Sequence, residues 1–317
     1  MLYPLKFKKI YKEKIWGGDK IKSMLNDKAV PDNCGECWLI SSLQGDISVI
    51  ANGFLKNSTL EEAIEIYMDE LVGDRVYDIY GIEFPLLFKI ISATENLSIQ
   101  VHPDDFVANS RHHALGKAEL WYVLGAEPNA SVISGFNKDS NEAELREALR
   151  LGNPEFLFNK ERARIGDVFF IPTGRVHSLG AGTTVLEIQQ SSDITYRLYD
   201  YNHKNREMHH NLAFDIIDYD QTKQIKTSFT KDVNVSNQIK LTQFFTINYL
   251  PVTNKVVRDY YELNTCVVLF CFKGRCKIEY EDEYIDLETN EIVLIPAELK
   301  EITILSDELC ELIETFV

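Results

Sequence analysis

The chain has 317 residues, 45% of them hydrophobic and 26% charged, with 33 Lys and Arg against 49 Asp and Glu for a formal charge of -16. That length predicts one large or two moderate domains with a core that needs no disulfide staples. The acidity excludes a general nucleic-acid backbone binder, so an anionic small molecule would have to enter a local basic pocket set against the global field. No stretch approaches about 18 uninterrupted apolar residues, which argues against a membrane span. The opening MLYPLKFKKIYKEKIWGG has no apolar core or small-residue cleavage pattern, so a cytoplasmic protein is expected.

In chain order, Ser58 and Thr59, followed by Glu61 and Glu62, start a capped helix over 60–71. Residues 86–93, 96–102 and 118–124 then read as strands rich in β-branched and aromatic side chains. A helix over 141–150 follows Ser140 and stops near Gly152. Strands at 168–171 and 183–190 come next, and a third helix is expected within 205–222. The polar run DYDQTKQIKTSFTKDVNVSN suggests a boundary near 225–240. Beyond it lie LTQFFTINYLPV, CVVLFCFKG, CKIEYEDEYIDL and EIVLIPA, with turns at Lys273-Gly274 and Glu281-Asp282. The expected fold is mainly β. Residues 1–230 would form one barrel with short helices at about 58–72, 140–151 and 205–222, and residues 231–317 a second β domain.

The six cysteines stand at 34, 37, 266, 271, 276 and 310. Cys34-Gly-Glu-Cys37 could be a redox pair or half of a structural zinc site. No second close pair matches it, and packing thiols in a reducing compartment are the simpler reading.

Gly166-Asp-Val-Phe-Phe-Ile-Pro172 and Asn290-Glu-Ile-Val-Leu-Ile-Pro296 echo one another at equal spacing, which suggests two related barrels unless two apolar strands agree by chance. Five residues past its proline the second copy has Glu301 where the first has a histidine, so the second barrel is expected to be metal-free and structural.

The sharpest signal is Ser98-Ile-Gln100-Val-His102-Pro-Asp-Asp. Strand alternation points Gln100 and His102 one way and Leu97, Ile99 and Val101 the other. A lone strand histidine is commonly a satisfied core residue. A second piece changes the balance: Gly166-x5-Pro172-x-Gly174-x2-His177, where a strand ends at proline, a glycine permits a tight turn and a histidine opens the next strand. This spacing is that of the second cupin motif, and Gln100-x-His102 followed by Glu119 resembles the first, with Gln in place of its first His and a longer loop before the Glu. Glu119 shares a strand face with Trp121 and Val123; alone it would read as an edge-strand surface acid. Imidazole, carboxylate and amide donors without thiolate suit zinc, and also iron, manganese or cobalt.

These residues resemble the type I mannose-6-phosphate isomerases, in the shorter bacterial form with reduced helical insertions. The matching pieces are Ile15-Trp-Gly-Gly18, Gly35-Glu-Cys-Trp38, Leu97-Ser-Ile-Gln100-Val-His102-Pro-Asp104, Gly116-Lys117-Ala-Glu119-Leu-Trp121-Tyr122, Ile171-Pro-Thr-Gly174-Arg-Val-His177-Ser-Leu179 and Asp193-Ile-Thr-Tyr196-Arg197-Leu-Tyr-Asp200-Tyr201. They cover about residues 3–215; beyond that the resemblance is weak. Cys37 departs from the serine commoner there. The resemblance implies two cupin-like jelly-roll barrels and one divalent ion, zinc foremost, on His102, Glu119 and His177, with Gln100 as a fourth ligand. It further implies Arg197 as a catalytic arginine and interconversion of mannose 6-phosphate and fructose 6-phosphate through an enediol. A sugar phosphate is then the partner, with no nucleic acid or membrane, on a monomer or weak homodimer.

Within that chemistry Arg197 is a poor base, because guanidinium does not deprotonate. It would stabilise the enediolate or hold the phosphate, on a face with Thr195 and Tyr199, unless it is a surface residue paired with Asp193 or Asp200. Lys117, two before Glu119, would share the cavity if the strand extends that far, binding phosphate or shuttling the proton; an exposed lysine is the alternative. His112-His113 and His209-His210 read as surface loops, and Arg111 and Lys204 as further candidates for a phosphate pocket. Another cupin enzyme, such as an iron-dependent oxygenase, and a non-catalytic sugar-phosphate-binding protein are the competing readings.

Overall fold

The computed structural model describes residues 1–201 and 206–317. They fall into two compact units, one of Tyr11–Trp38 with Leu87–Thr227, the other of Met1–Ile10, Leu39–Leu86 and Ser228–Val317. The break expected near 230 coincides with the last segment of the second unit, but that unit also draws in two earlier segments. Leu5 exchanges backbone hydrogen bonds with Leu294 (2.8 and 2.9 Å), and Leu71 and Val72 accept from Ala297 and Cys266 (3.0 and 3.1 Å). Pairings across more than 190 residues leave no trace in local composition, which is why a linear partition at 230 does not describe the chain.

The first unit holds two sheets. Six strands run in the order β1 (Ile10–Gly18), β2 (Cys34–Ile40), β3 (Leu86–Ser92), β10 (Thr183–Gln190), β5 (Glu119–Ala126), β8 (Val168–Ile171). Five run β11 (Tyr196–Tyr199), β4 (Ile99–Val101), β9 (His177–Leu179), β6 (Ser131–Phe136), β7 (Phe158–Arg162). Trp16, Ile91, Trp121, Phe169 and Val185 of the larger sheet share a buried cluster with Val132 and Leu179 of the smaller, so the two inner faces make one core. The outer face of the smaller sheet carries a second cluster, where Ile99, Val101, Phe136, Tyr196 and Leu198 meet Leu145 and Ala148 of α5 (Glu142–Arg150) and Ala213 and Phe214 of α6 (His210–Phe214). The architecture is cupin-like and mainly β.

Alternation thus delivers Ile99 and Val101 to the outer core, as expected. Leu97 departs from it: β4 begins only at Ile99, and Leu97 packs on the inner cluster instead. The third expected helix shortens to α6. The residues between Val101 and Glu119 hold an unexpected α4 (Asp105–His112), capped by Asp104 accepting from Val107 N (2.8 Å). His112 is its last residue and His113 its left-handed cap (φ 54), so that pair sits at a helix end rather than in a loop.

The second unit is a sheet ordered β12 (Asn237–Leu241), β13 (Thr246–Asp259), β18 (Glu301–Phe316), β14 (Val267–Lys273), β17 (Glu291–Ile295), with the hairpin β15 (Arg275–Tyr280) and β16 (Glu283–Glu288) joined through β18. The echo between Gly166–Pro172 and Asn290–Pro296 maps onto β8 and β17, each entered through a left-handed residue, Gly166 (φ 84) and Asn290 (φ 66). Glu301 opens β18 and is exposed. The helix expected over 60–71 is α2 (Leu60–Val72), capped by the Thr59–Glu62 box but broken at Met68 (φ 46). No helix among the described residues is long and apolar enough to cross a membrane.

The turn before β9 is the local feature that aims His177. Gly174 sits at φ 79, its N–H bonds His102 O (2.9 Å), and a Cβ there would stand 2.9 Å from Ile216 O. Gly174→Ala is expected to cost about 1–3 kcal/mol in reversible urea unfolding, since both the left-handed backbone and the contact oppose a side chain; a loss below about 0.5 kcal/mol would contradict this reading.

Candidate metal centre

Three side chains converge inside the first unit: His102 at the end of β4, Glu119 at the start of β5 and His177 at the start of β9, each buried. Register explains the meeting. Gln100 on β4 pairs with His177 on β9, and β4 ends at Val101, just before His102 and Pro103 lead the chain into α4. The return of the chain is fixed as well. Gly116 passes so close to Asp104 that a Cβ would lie 2.6 Å from its carbonyl carbon, and Lys117 N donates to Pro103 O (3.1 Å). Asp105 accepts from Gly116 N (2.8 Å) and Gln190 Nε2 (2.9 Å).

Both imidazoles are oriented by their far nitrogens. His102 Nδ1 faces Ile194 O at 2.9 Å and His177 Nδ1 faces Arg175 O at 2.8 Å. A carbonyl only accepts, so each Nδ1 carries the proton and each Nε2 offers a lone pair. The two Nε2 atoms stand 3.1 Å apart, and Glu119 lies 3.5 Å from that of His102 and 3.3 Å from that of His177. Gln100 Nε2 lies 3.3 Å from His177 Nε2 and 3.5 Å from His102 Nε2, and rotating the amide would put Oε1 there instead. Four donors held tetrahedrally about 2.0–2.1 Å from one ion stand about 3.3 Å apart, so the spacing fits a zinc-sized cation.

Glu119 supplies the strongest argument. Its two carboxylate oxygens are buried and make no hydrogen bond; Lys117 Nζ approaches one to 3.5 Å. The second unit shows what a buried carboxylate ordinarily requires. Glu314 accepts from Arg258 (2.8 and 3.1 Å), Tyr260 (2.9 Å), Asn248 (2.9 Å) and Ser236 (2.8 Å). An unpaired buried carboxylate costs several kcal/mol unless it is neutralised or coordinates a metal. Burial first, then the Glu187 charge, push Glu119 up to about 8, against the pull of Lys117 and Lys89. Burial holds His177 down to about 4, and burial followed by the Lys117 charge holds His102 well below the usual histidine range.

Gln100 and Lys117 also line a cavity of about 400 Å³ beside the cluster, with Lys12, Lys14, Glu36, Trp38, Lys89, Glu187, Asp193, Thr195, Arg197 and Arg206 among its other walls. Lys117 is buried although it precedes β5, since the Pro103 contact and not strand alternation points it inward. Arg197 donates from Nη1 to Glu207 O (2.8 Å), while its Nε is buried without a partner. Thr195 shares its cavity, but Tyr199 does not: a register shift between Arg197 and Tyr199 sends that ring to the outer core, where its hydroxyl bonds Gly152 O (3.0 Å). Asp200 pairs with Arg206. Arg111 is tied to Asp215 (2.9 Å) at the surface, and Lys204 lies outside the described residues.

Lys89 and Glu187 were not foreseen. Lys89 Nζ bonds Glu187 Oε2 (3.0 Å) and Gln189 Oε1 (2.6 Å), and Trp121 Nε1 donates to Glu187 Oε1 (2.8 Å). Burial alone would raise Glu187, but Lys89 and Lys117 outweigh it and hold the carboxylate well down. A signal existed: each is the single charge in an apolar strand, Leu86-Leu-Phe-Lys89-Ile-Ile and Val185-Leu-Glu187-Ile, and a charge in such a run needs a partner.

Fold and cluster together define a cupin-like protein with a His-Glu-His site. The family model for phosphomannose isomerase type I, catalytic domain, matches residues 4–123. Mannose-6-phosphate isomerase ManA of Bacillus subtilis is 39% identical over 225 residues, 68% of either chain. The B. subtilis protein YvyI is 30% identical over 310 residues, 95% of either chain. The crystal structure of the mannose 6-phosphate isomerase from Bacillus subtilis superposes with a TM-score of 0.89 at 29% identity, covering 100% of both chains. The chain belongs to the type I mannose-6-phosphate isomerase family.

Titrating zinc into metal-stripped protein near pH 7 should release about one proton, from Glu119, because both imidazoles are already neutral. Calorimetry in buffers of different ionisation enthalpy measures that proton, and Glu119→Gln should abolish it. Release of two or more protons from the wild type would contradict the assignment of protonation states.

Proposed function

We propose that this chain interconverts mannose 6-phosphate and fructose 6-phosphate with one divalent ion, zinc foremost, held by His102, Glu119, His177 and Oε1 of Gln100. The observation that carries this reading is the buried Glu119 carboxylate, without a hydrogen bond and facing two imidazole lone pairs. When bound, the ion supplies Lewis-acid stabilisation of the oxygen on which negative charge develops.

The cavity suits an anionic sugar. Six Lys and Arg side chains line it against three Asp and Glu, so it is locally positive on a chain of charge -16 and attracts a phosphate against the global field. Isomerisation moves a proton between C1 and C2 of the open-chain sugar. Lys117, buried beside Glu119 on the cavity wall, is the side chain we assign to carry that proton between the two carbons. Glu187, held ionised by Lys89 and Trp121, is a weak base and acts as a fixed counter-charge. Arg197, permanently charged, holds a substrate oxyanion, and its buried, unpartnered Nε is a donor for it.

A coupled assay on mannose 6-phosphate tests the reading. Activity should vanish on chelation and return with added zinc; no turnover by folded, metal-loaded protein would contradict it. Lys117→Met should lower kcat by about 10²–10⁴-fold with metal content unchanged, and undiminished turnover would remove Lys117 from the mechanism. Arg197→Ala separates its two possible oxyanions: a raised KM at constant kcat assigns it to the phosphate, a lowered kcat to the enediolate.

A further inference from the structure

Neither histidine pair belongs to the metal cluster, yet three of those four rings converge on β11, the strand that carries Arg197. His112 Nε2 meets Tyr196 Oη at 2.7 Å. His209 Nδ1 accepts from Arg197 N (3.1 Å), and its own N–H donates to Arg197 O (2.8 Å). His210 Nε2 donates to Leu198 O (2.8 Å). Three successive residues of β11 are each gripped by a different histidine.

The need for such a grip follows from topology. β11 is the edge strand of its sheet, so half of its backbone groups face away from β4 and require partners from outside the sheet. Arg197 lies opposite Gln100 in the register, and its N–H and C=O both go to His209. α6 begins at His210, so His209 caps the helix and both rings turn back onto β11; adjacent histidines in a strand would point to opposite sides. The same segment supplies Glu207 O, which accepts from the Arg197 guanidinium (2.8 Å).

We propose that His209 is a positioning residue for Arg197: its neutral imidazole, protonated on Nε2, receives the Arg197 N–H and fixes the backbone from which the guanidinium reaches the cavity. The tautomer is forced, because a backbone N–H only donates and Nδ1 must accept. Burial and the neighbouring Arg197 charge lower the His209 pKa, which keeps that lone pair available, and the Tyr196 ring lies 6.3 Å away. The proposal rests on the reading that Arg197 holds a substrate oxyanion.

The test is a double-mutant cycle on the zinc-loaded enzyme, with zinc content and thermal midpoint recorded for every variant. His209→Leu should lower kcat/KM by about tenfold to 100-fold, as an ångström-scale misplacement of a binding group does. The loss should fall in the same parameter, kcat or KM, that Arg197→Ala moves. His209→Asn, whose Oδ1 can accept the N–H, should recover activity to within about threefold of wild type. Adding His209→Leu to Arg197→Ala should cost nothing further. If the leucine variant does not fold, His209→Ala removes the acceptor without added bulk and carries the same expectations. Unchanged kcat/KM in the leucine or alanine variant, or full additivity with Arg197→Ala, overturns the positioning role. Full activity of Arg197→Ala alone would instead overturn the reading of Arg197 and this proposal with it. A wild type without turnover would overturn the isomerase reading.

Discussion

Three hydrogen-bond acceptors face one another at the centre of the first unit. The lone pairs of two imidazoles and a carboxyl group without a hydrogen bond converge at 3.1–3.5 Å, all three side chains buried. Such a meeting is repulsive and poorly solvated unless a proton on Glu119 or a metal ion lies among the three. Much of the surrounding architecture serves that convergence: Ile194 O and Arg175 O fix the tautomers, Gly174 turns the chain into β9, and Gly116 lets the loop after α4 return against Asp104.

The same arrangement links the cluster to the cavity. Gln100 and Lys117 belong to both, each with one end near a cluster residue and a surface in the cavity wall. Around them many of the charges are paired: Lys89 bonds Glu187, Lys14 lies 3.2 Å from Glu36 and Lys117 lies 3.5 Å from Glu119. The cavity wall carries a local excess of Lys and Arg in an otherwise acidic protein. The second unit follows different chemistry: its buried carboxylate, Glu314, is saturated by four side chains and has no role left for an ion.

How far the sequence foretold this depends on whether local geometry or distant pairing decides each point. Gln100 and His102 were readable on one face because Ile99 and Val101 had to enter a core, and the Pro172-Gly174-His177 spacing encodes a turn through its own backbone needs. Strand alternation would turn Lys117 inward only on a longer strand; β5 starts only at Glu119, and a loop contact with Pro103 accompanies its burial instead. Tyr199 and Leu97 departed because a register shift and a late strand start reset the alternation, and neither has a local signature. The Lys89–Glu187 pair spans 98 residues, and the membership of 1–10 and 39–86 in the second unit rests on pairings of similar or greater reach. The histidine grip on β11 was hidden for a related reason: a five-residue helix sets its ring directions, where the sequence suggested a longer one.

The most direct test of the central claim is an anomalous-scattering map at the zinc edge from crystals of the zinc-loaded protein. The account predicts a single peak about 2.0–2.2 Å from His102 Nε2, His177 Nε2 and a Glu119 oxygen. A peak elsewhere, or a fully loaded protein with no density among those three side chains, would contradict it.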